Sequence, residues 1–178
     1  MKFRLRKWRL SDKISLAKNA NNINIWNNVR DYFPHPYSVK DGKQFIRMVL
    51  GKPNPTTELA IEIDGNAVGG IGIVLHSDVE RIAAEIGYWL GEAYWHKGIM
   101  TEVVKEMVIY IFENFPVQKI YATVFDFNIA SQKVLEKAGF EREAILKQAA
   151  IKNGKIIDLH YFGLVNTLTY GISSPNSQ

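Results

Sequence analysis

Along the 178 residues, apolar and polar positions change period several times, and each change marks an element. Over residues 1–8, Phe3, Leu5 and Trp8 interleave with Lys2, Arg4, Arg6 and Lys7, an amphipathic strand with a basic outer face that Arg9 continues. Ser11 is placed to N-cap a helix reaching about Asn21, and a second short helix holds Ile23, Trp26, Val29 and Arg30. Pro34 and Pro36 break the chain. Ser38 and Asp41 then form a capping box for a third helix, which runs through Leu50. After Pro53 and Pro55 a strand is expected over Glu58–Ile63, followed by a hairpin at Asp64-Gly65-Asn66. A return strand over 67–75 and another over 80–90 complete this half.

Beyond that point the period lengthens. From 98 to 115 the apolar residues, among them Ile99, Val103, Met107, Ile111 and Phe115, recur at helical spacing. Lys119–Phe125 alternates like a strand, and Asn128 caps a helix with Gly139 just past its end. Strands over 140–151 and 155–164 flank Asn153-Gly154, and residues 173–178 are expected to fray. No repeat or linker divides the chain, so residues 1–178 are expected to form one domain. The order predicts an α/β fold of the α+β type: a mixed, mostly antiparallel sheet of about seven strands flanked by helices.

Composition narrows the chemistry. Hydrophobic residues make up 47% and aromatics 12%, enough for one sizeable core. The absence of cysteine removes disulfides, thiolate metal sites and a cysteine nucleophile. His35, His76, His96 and His160 show no metal-ligand spacing, so no metal is expected. No stretch approaches the roughly 20 apolar residues of a membrane span, and no signal peptide is evident, so a cytoplasmic protein without a membrane partner is expected. The net charge of +4 tolerates a phosphate-bearing ligand, but the scattered basic residues do not make a nucleic-acid footprint. Homodimerisation is left open.

The most informative stretch is 85–101, EIGYWLGEAYWHKGIMT. A strand ends near Leu90, a turn follows, and Gly98 opens a long helix. The first amides of such a helix lack internal acceptors, its dipole adds positive potential, and Gly98 lets an anion approach the backbone. Lys97 adds a full charge, which together makes a pyrophosphate cradle. An ordinary strand-to-helix turn shares this pattern. Other phosphate motifs fail: there is no G-x-x-x-x-G-K-[ST], and Gly69-Gly70-Ile71-Gly72 does not continue as G-x-G-x-x-G. That run lies inside a strand, where close packing or a bulge is expected.

A second element follows: Asn128-Ile129-Ala130-Ser131, then Val134-Leu135-Glu136-Lys137-Ala138-Gly139-Phe140. Taken together, YWHKGIMTE and NIASQKVLEKAGF resemble the acetyl-CoA signature of the GNAT superfamily, in its ribosomal-protein N-acetyltransferase branch. The upstream YFPHPY segment at 32–37 and the EIGYWL strand also fit, and the resemblance spans about residues 4–164. It implies an acetyl-CoA-dependent N-acetyltransferase. Backbone groups near Leu90 should bond the pantetheine arm, beside Trp95. The amides of His96, Lys97, Gly98, Ile99, Met100 and Thr101 should receive the pyrophosphate. Asn128 and Ser131 should face the pantetheine and the thioester sulfur. The sheet should splay beyond a bulged 80–90 strand to admit the cofactor beside Lys119–Phe125. Two departures stand out: His96 replaces a common glycine, and Leu135 stands where many members carry a tyrosine acid, leaving Ser131 or water to protonate the thiolate.

Transfer needs a base. Glu85 shares a strand face with Ala83, Gly87 and Trp89, small and apolar neighbours of the kind that raise a carboxyl pKa. An edge or salt-bridged carboxylate is the competing role. Trp26, Tyr32, Phe33 and Tyr37 lie where this fold builds its acceptor wall, and Asp158 and Tyr161 are candidates for the same cleft, with core or hairpin roles as the alternative. The acceptor is expected to be a peptide N-terminal amine or a small primary amine: at pH 7.4 deprotonation costs about 1 kcal/mol for an α-amine and about 4 kcal/mol for a lysine. An acyl-CoA-binding module without catalysis is the main rival; a nucleic-acid-binding domain is a weaker one.

Overall fold

The computed structural model describes residues 2–167. Seven strands form one sheet in the order β1-β2-β3-β4-β5-β7-β6. The strands β1 (Arg4–Arg6), β2 (Glu58–Ile63), β3 (Asn66–Leu75) and β4 (Ala83–Leu90) are antiparallel neighbours. β4 runs parallel to β5 (Lys119–Phe125), and β7 (Lys155–Val165) and β6 (Glu141–Lys152) complete the sheet antiparallel. Both expected hairpins close through paired left-handed residues: Asp64 and Gly65 have φ of 49° and 78°, Asn153 and Gly154 of 52° and 73°.

Five helices cover the faces: α1 (Lys13–Ala20), α2 (Ile23–Trp26), α3 (Val39–Leu50), α4 (Ile99–Asn114) and α5 (Ile129–Lys137). The capping box at the head of α3 forms as the sequence predicts, with Ser38 and Asp41 exchanging backbone and side-chain bonds. Alternation along β2 sends Leu59, Ile61 and Ile63 to one core with Met107, Ile111 and Phe162, and Ala60 to the other with Leu16 and Ile46. So α4 and α5 cover one face, α1 and α3 part of the opposite one. A register shift at Ile61/Glu62 makes Val68 the extra residue of a bulge, which turns it to the same core as Ile71 and Ile73.

The start of the chain differs from expectation. β1 is only Arg4–Arg6, and Ser11 sits inside a 3-10 turn, Leu10–Asp12, without capping α1. Asp12 has taken over this corner: its carboxylate receives the Arg9 amide at 2.8 Å and a two-pronged bond from the Arg6 guanidinium at 2.7 and 2.8 Å. Val29 and Arg30 lie past the end of α2, and the 80–90 strand begins at Ala83 because Asp78–Glu80 form another 3-10 turn. The glycine run of β3 serves close packing. A Cβ on Gly69 would stand 2.6 Å from the Trp89 carbonyl oxygen, and one on Gly70 would stand 2.9 Å from the Trp89 indole nitrogen.

The Arg6–Asp12 pair carries a stability prediction. Burial would raise the Asp12 carboxyl, but the bonds from Arg6 and the Arg9 amide outweigh it and hold the group below its ordinary 3.8. Asp12→Ala strands a buried guanidinium that keeps Glu62 and the Lys7 carbonyl as its remaining partners. It is expected to lower unfolding stability by about 3 kcal/mol in urea titrations. A lowered carboxyl stabilises fully above its unfolded value, so this contribution is present above about pH 4 and lost as pH falls through the folded value. In Asp12→Ala that acid-dependent portion should vanish.

Candidate active site

Three residue pairs join β4 to β5: Ala83–Lys119, Ala84–Ile120 and Glu85–Tyr121. Past Glu85 the two strands separate. Residues 86–90 stay on β3, and β5 continues with β7 as far as Phe125–Leu159. The expected splay is therefore present, but β4 carries no bulge. Its register with β3 runs without a shift from Leu75–Ala84 to Gly69–Leu90, so the gap comes from the end of the parallel ladder. A continuous groove of about 1800 Å³ opens there.

At one end of the groove stands the start of α4. Gly98 caps it with φ 73°, and a Cβ on Gly98 would meet nothing within 4 Å. The amides of residues 98–101 find no protein acceptor among the described residues. His96, in the place of a common glycine, adopts a glycine-like φ of 59°, a strain of about 1 kcal/mol for a residue with a Cβ. Ile99 and Met100 bury their side chains in the core, so only their backbone faces this end. Lys97 folds back, donating to the Ala93 carbonyl at 2.7 Å with its ammonium 5.6 Å from the Tyr94 ring centre. Lys133 and Lys137 of α5 line the groove as well. The Trp95 indole N–H donates to the Leu90 carbonyl at 2.7 Å, so the carbonyl expected to meet a pantetheine arm already has a donor.

Midway along, the Asn128 side chain caps α5 by accepting from the Ser131 amide at 3.1 Å. The Ser131 hydroxyl lies 2.9 Å from the Tyr88 hydroxyl. Burial pushes the Tyr88 phenol well above its ordinary value, against the opposing effect of the Ser131 bond. Tyr88 was not among the expected site residues; the signal that could have found it is one phenol among the apolar Ala84, Ile86 and Leu90 of the opposite face of β4. Leu135 is fully buried in the core, filling with apolar bulk the place of a tyrosine acid.

Glu85, which also lines the groove, is not enclosed by apolar groups. Its Oε1 accepts from Arg30 Nη2 at 2.5 Å and from the Thr123 hydroxyl at 2.9 Å. Alternation put small residues beside Glu85 on its own strand but could not show what arrives from elsewhere. Tyr32 lies at the mouth, 98% exposed, and Phe33 packs against Tyr37 and Trp89 at 4.9 and 5.7 Å between ring centres. Burial, with Asp41 nearby, pushes Tyr37 up to about 12. These three line the groove and Trp26 does not, because the Lys152 ammonium covers its ring at 3.8 Å. Asp158 and Tyr161 stay outside too: Asp158 accepts from Lys147 and the Gln148 amide, and Tyr161 stacks on Tyr121 at 4.8 Å. Among the described residues, no group of three or more His, Cys, Asp or Glu is placed to hold a metal, and no helix is long and apolar enough to cross a membrane.

Residues 2–141 match a family model described as an acetyltransferase (GNAT) domain. The uncharacterized N-acetyltransferase p20 of Bacillus licheniformis is 35% identical over 132 residues, which cover 71% of this chain and 73% of that protein. The uncharacterized N-acetyltransferase YoaA of Bacillus subtilis (strain 168) is 35% identical over 98 residues, so the match spans about half of that relative, 55% of each chain. Among solved structures, RimL, a ribosomal L7/L12 alpha-N-protein acetyltransferase in complex with coenzyme A, superposes with a TM-score of 0.81 over 93% of this chain and 94% of that one, at 19% identity.

Proposed function

The chain belongs to the GNAT acetyltransferase family, and from that premise we propose that it transfers the acetyl group of acetyl-CoA to a primary amine, either a protein or peptide N-terminal α-amine or a small-molecule amine, by direct transfer in a ternary complex. The observation that carries this reading is one groove running from the free amides of α4 to the carboxylate of Glu85. Donor fit is supported by the open space over Gly98, the unpaired amides of residues 98–101 and the lysines at that end, all suited to a pyrophosphate. His96 and Lys97 flank that cradle, and Asn128 and Ser131 border the path from it to Glu85. Bound acetyl-CoA supplies a thioester as the activated acyl group.

Glu85 accepts the proton of the incoming ammonium, directly or through one water, because Oε1 holds Arg30 and Thr123 while Oε2 stays available. The freed amine nitrogen bonds to the acetyl carbon, the carbon–sulfur bond breaks, and its electron pair leaves on sulfur. As the amide forms, the nitrogen sheds its second proton, which passes through water to the Ser131 oxygen while the Ser131 hydroxyl gives its own proton to the thiolate. Tyr88, hydrogen-bonded to Ser131, orients the hydroxyl. The products are the N-acetylated amine and free CoA thiol.

Acetyl-CoA binds the native state, so it is expected to stabilise the protein by about 2.7 kcal/mol at a hundredfold excess over its dissociation constant. Differential scanning measures this as a rise in Tm. An amine panel followed by thiol release then tests transfer. No thermal response at millimolar acetyl-CoA would defeat the reading outright, and a response with no thiol release on any amine would reduce the protein to an acyl-CoA-binding module.

A further inference from the structure

Resting on the acetyl-transfer reading, we propose that the preferred acceptor is an amine carrying its own anion nearby, a free α-amino acid or similar zwitterion, and that Arg30 selects it. Arg30 and Glu85 stand side by side at the acceptor end, and each uses one edge only. Both donors to Glu85 land on Oε1, leaving Oε2 open. Arg30 spends Nη2 alone, on Glu85 at 2.5 Å and Thr123 at 3.5 Å, and its Nε and Nη1 have no acceptor among the described residues. The side chain is 62% exposed and lines the groove.

The neighbouring cations are already committed. Lys152 bonds Asp31 at 2.7 Å and the Val29 carbonyl at 2.9 Å beneath the Trp26 ring, and Lys52 faces Glu58 at 3.4 Å. The remaining lysines that line the groove are Lys97 of the 95–98 loop, which bonds the Ala93 carbonyl, and Lys133 and Lys137 of α5. Lys152 also ties both neighbours of Arg30, the Val29 carbonyl and the Asp31 carboxylate, and Asn153 bonds Asn27 at 2.9 Å, so the tip of the β6–β7 hairpin holds the segment that presents the guanidinium. Arg30 is offered from an anchored support.

A free carboxylate oxygen beside a free guanidinium edge is complementary to an ammonium and a carboxylate on adjacent atoms. A bare ammonium reaching Glu85 Oε2 has much of the carboxylate's attraction offset by the charge of Arg30. An α-amino acid places nitrogen on Oε2 and its carboxylate on the Nε–Nη1 fork, and neither the pair nor the ligand brings net charge into the groove. After Glu85 takes the ammonium proton, Arg30 still holds the carboxylate and keeps the amine aimed. A peptide N-terminus, with an amide in place of that carboxylate, gains nothing from the fork.

The test measures thiol release with leucine, phenylalanine and serine against 3-methylbutylamine, phenethylamine and ethanolamine, and with a lysine-free peptide. Wild type, Arg30→Ala and Arg30→Lys are compared. At least one amino acid should exceed its decarboxylated partner by about tenfold or more in kcat/KM in wild type. Arg30→Ala should shrink that ratio about tenfold, chiefly through the amino-acid KM, and Arg30→Lys should restore part of it. Comparing the same two substrates between variants cancels their different basicities. A ratio unchanged in Arg30→Ala, or turnover of plain amines or the peptide in preference to every amino acid, overturns the role of Arg30 and leaves acetyl transfer standing. Absence of thiol release from all of them overturns both.

Discussion

Gly98→Glu is expected to abolish measurable acetyl-CoA binding in a protein that still folds. The added side chain has room, since a Cβ there meets nothing within 4 Å, so the fold suffers only the left-handed backbone strain at φ 73°, about 1 kcal/mol. The carboxylate, however, would sit against the free amides of α4 in the space proposed for a pyrophosphate. A like charge about 4 Å away costs about 4 kcal/mol at the effective dielectric of a protein surface, near a thousandfold in affinity. Gly98→Ala carries the same strain without the charge and should lose far less. Calorimetric titration of both variants checks this; wild-type affinity in Gly98→Glu would remove the cradle from the account.

Glu85→Gln should lower kcat by about 10²- to 10⁴-fold near neutral pH while acetyl-CoA still shifts the melting temperature, because the amide keeps the shape of the carboxylate and loses its basicity. The rate should recover partly as pH rises and the acceptor deprotonates in solution, beginning near pH 8 for an α-amine and nearer 10 for a lysine. A rate and pH profile matching wild type would show that the base lies elsewhere. Arg30 complicates the variant in a useful way, since loss of its anionic partner also frees the guanidinium.

How far the sequence announced this site depends on how far apart the partners lie. Local chemistry was legible: the Ser38–Asp41 box, the left-handed turns at Asp64-Gly65 and Asn153-Gly154, the Gly98 and Asn128 caps. Each is decided within a few residues by backbone sterics and orphan amides. Periodicity also assigned faces correctly, including the one that carries Glu85. Pairings were not legible. Arg30 reaches Glu85 across 55 positions, Tyr88 reaches Ser131 across 43, and Lys152 reaches Val29 across 123. A period says which way a side chain points and nothing about which distant one arrives opposite. For that reason Glu85 was expected among apolar neighbours and Tyr88 was not expected at the site, while Trp26 was placed in the acceptor wall by resemblance. Ser11 against Asp12 shows the same limit at short range: both are capping residues, and a guanidinium from β1 decided between them.

Only three residue pairs bridge β4 and β5, as few as hold the edge strand β1 to β2, so the sheet is thinly laddered in its middle. On either side of that ladder stand two rafts, β1 to β4 and β5 to β7, that share the α4 core beneath them. Native-state opening concentrates where few backbone bonds must break, so breathing of this molecule reaches that central line as well as the short β1 edge. A ligand lying lengthwise in the cleft touches both rafts and works as a clasp. Each catalytic cycle then alternates a fastened molecule with a loosened one, and the same line that admits the donor sets how readily its spent thiol departs.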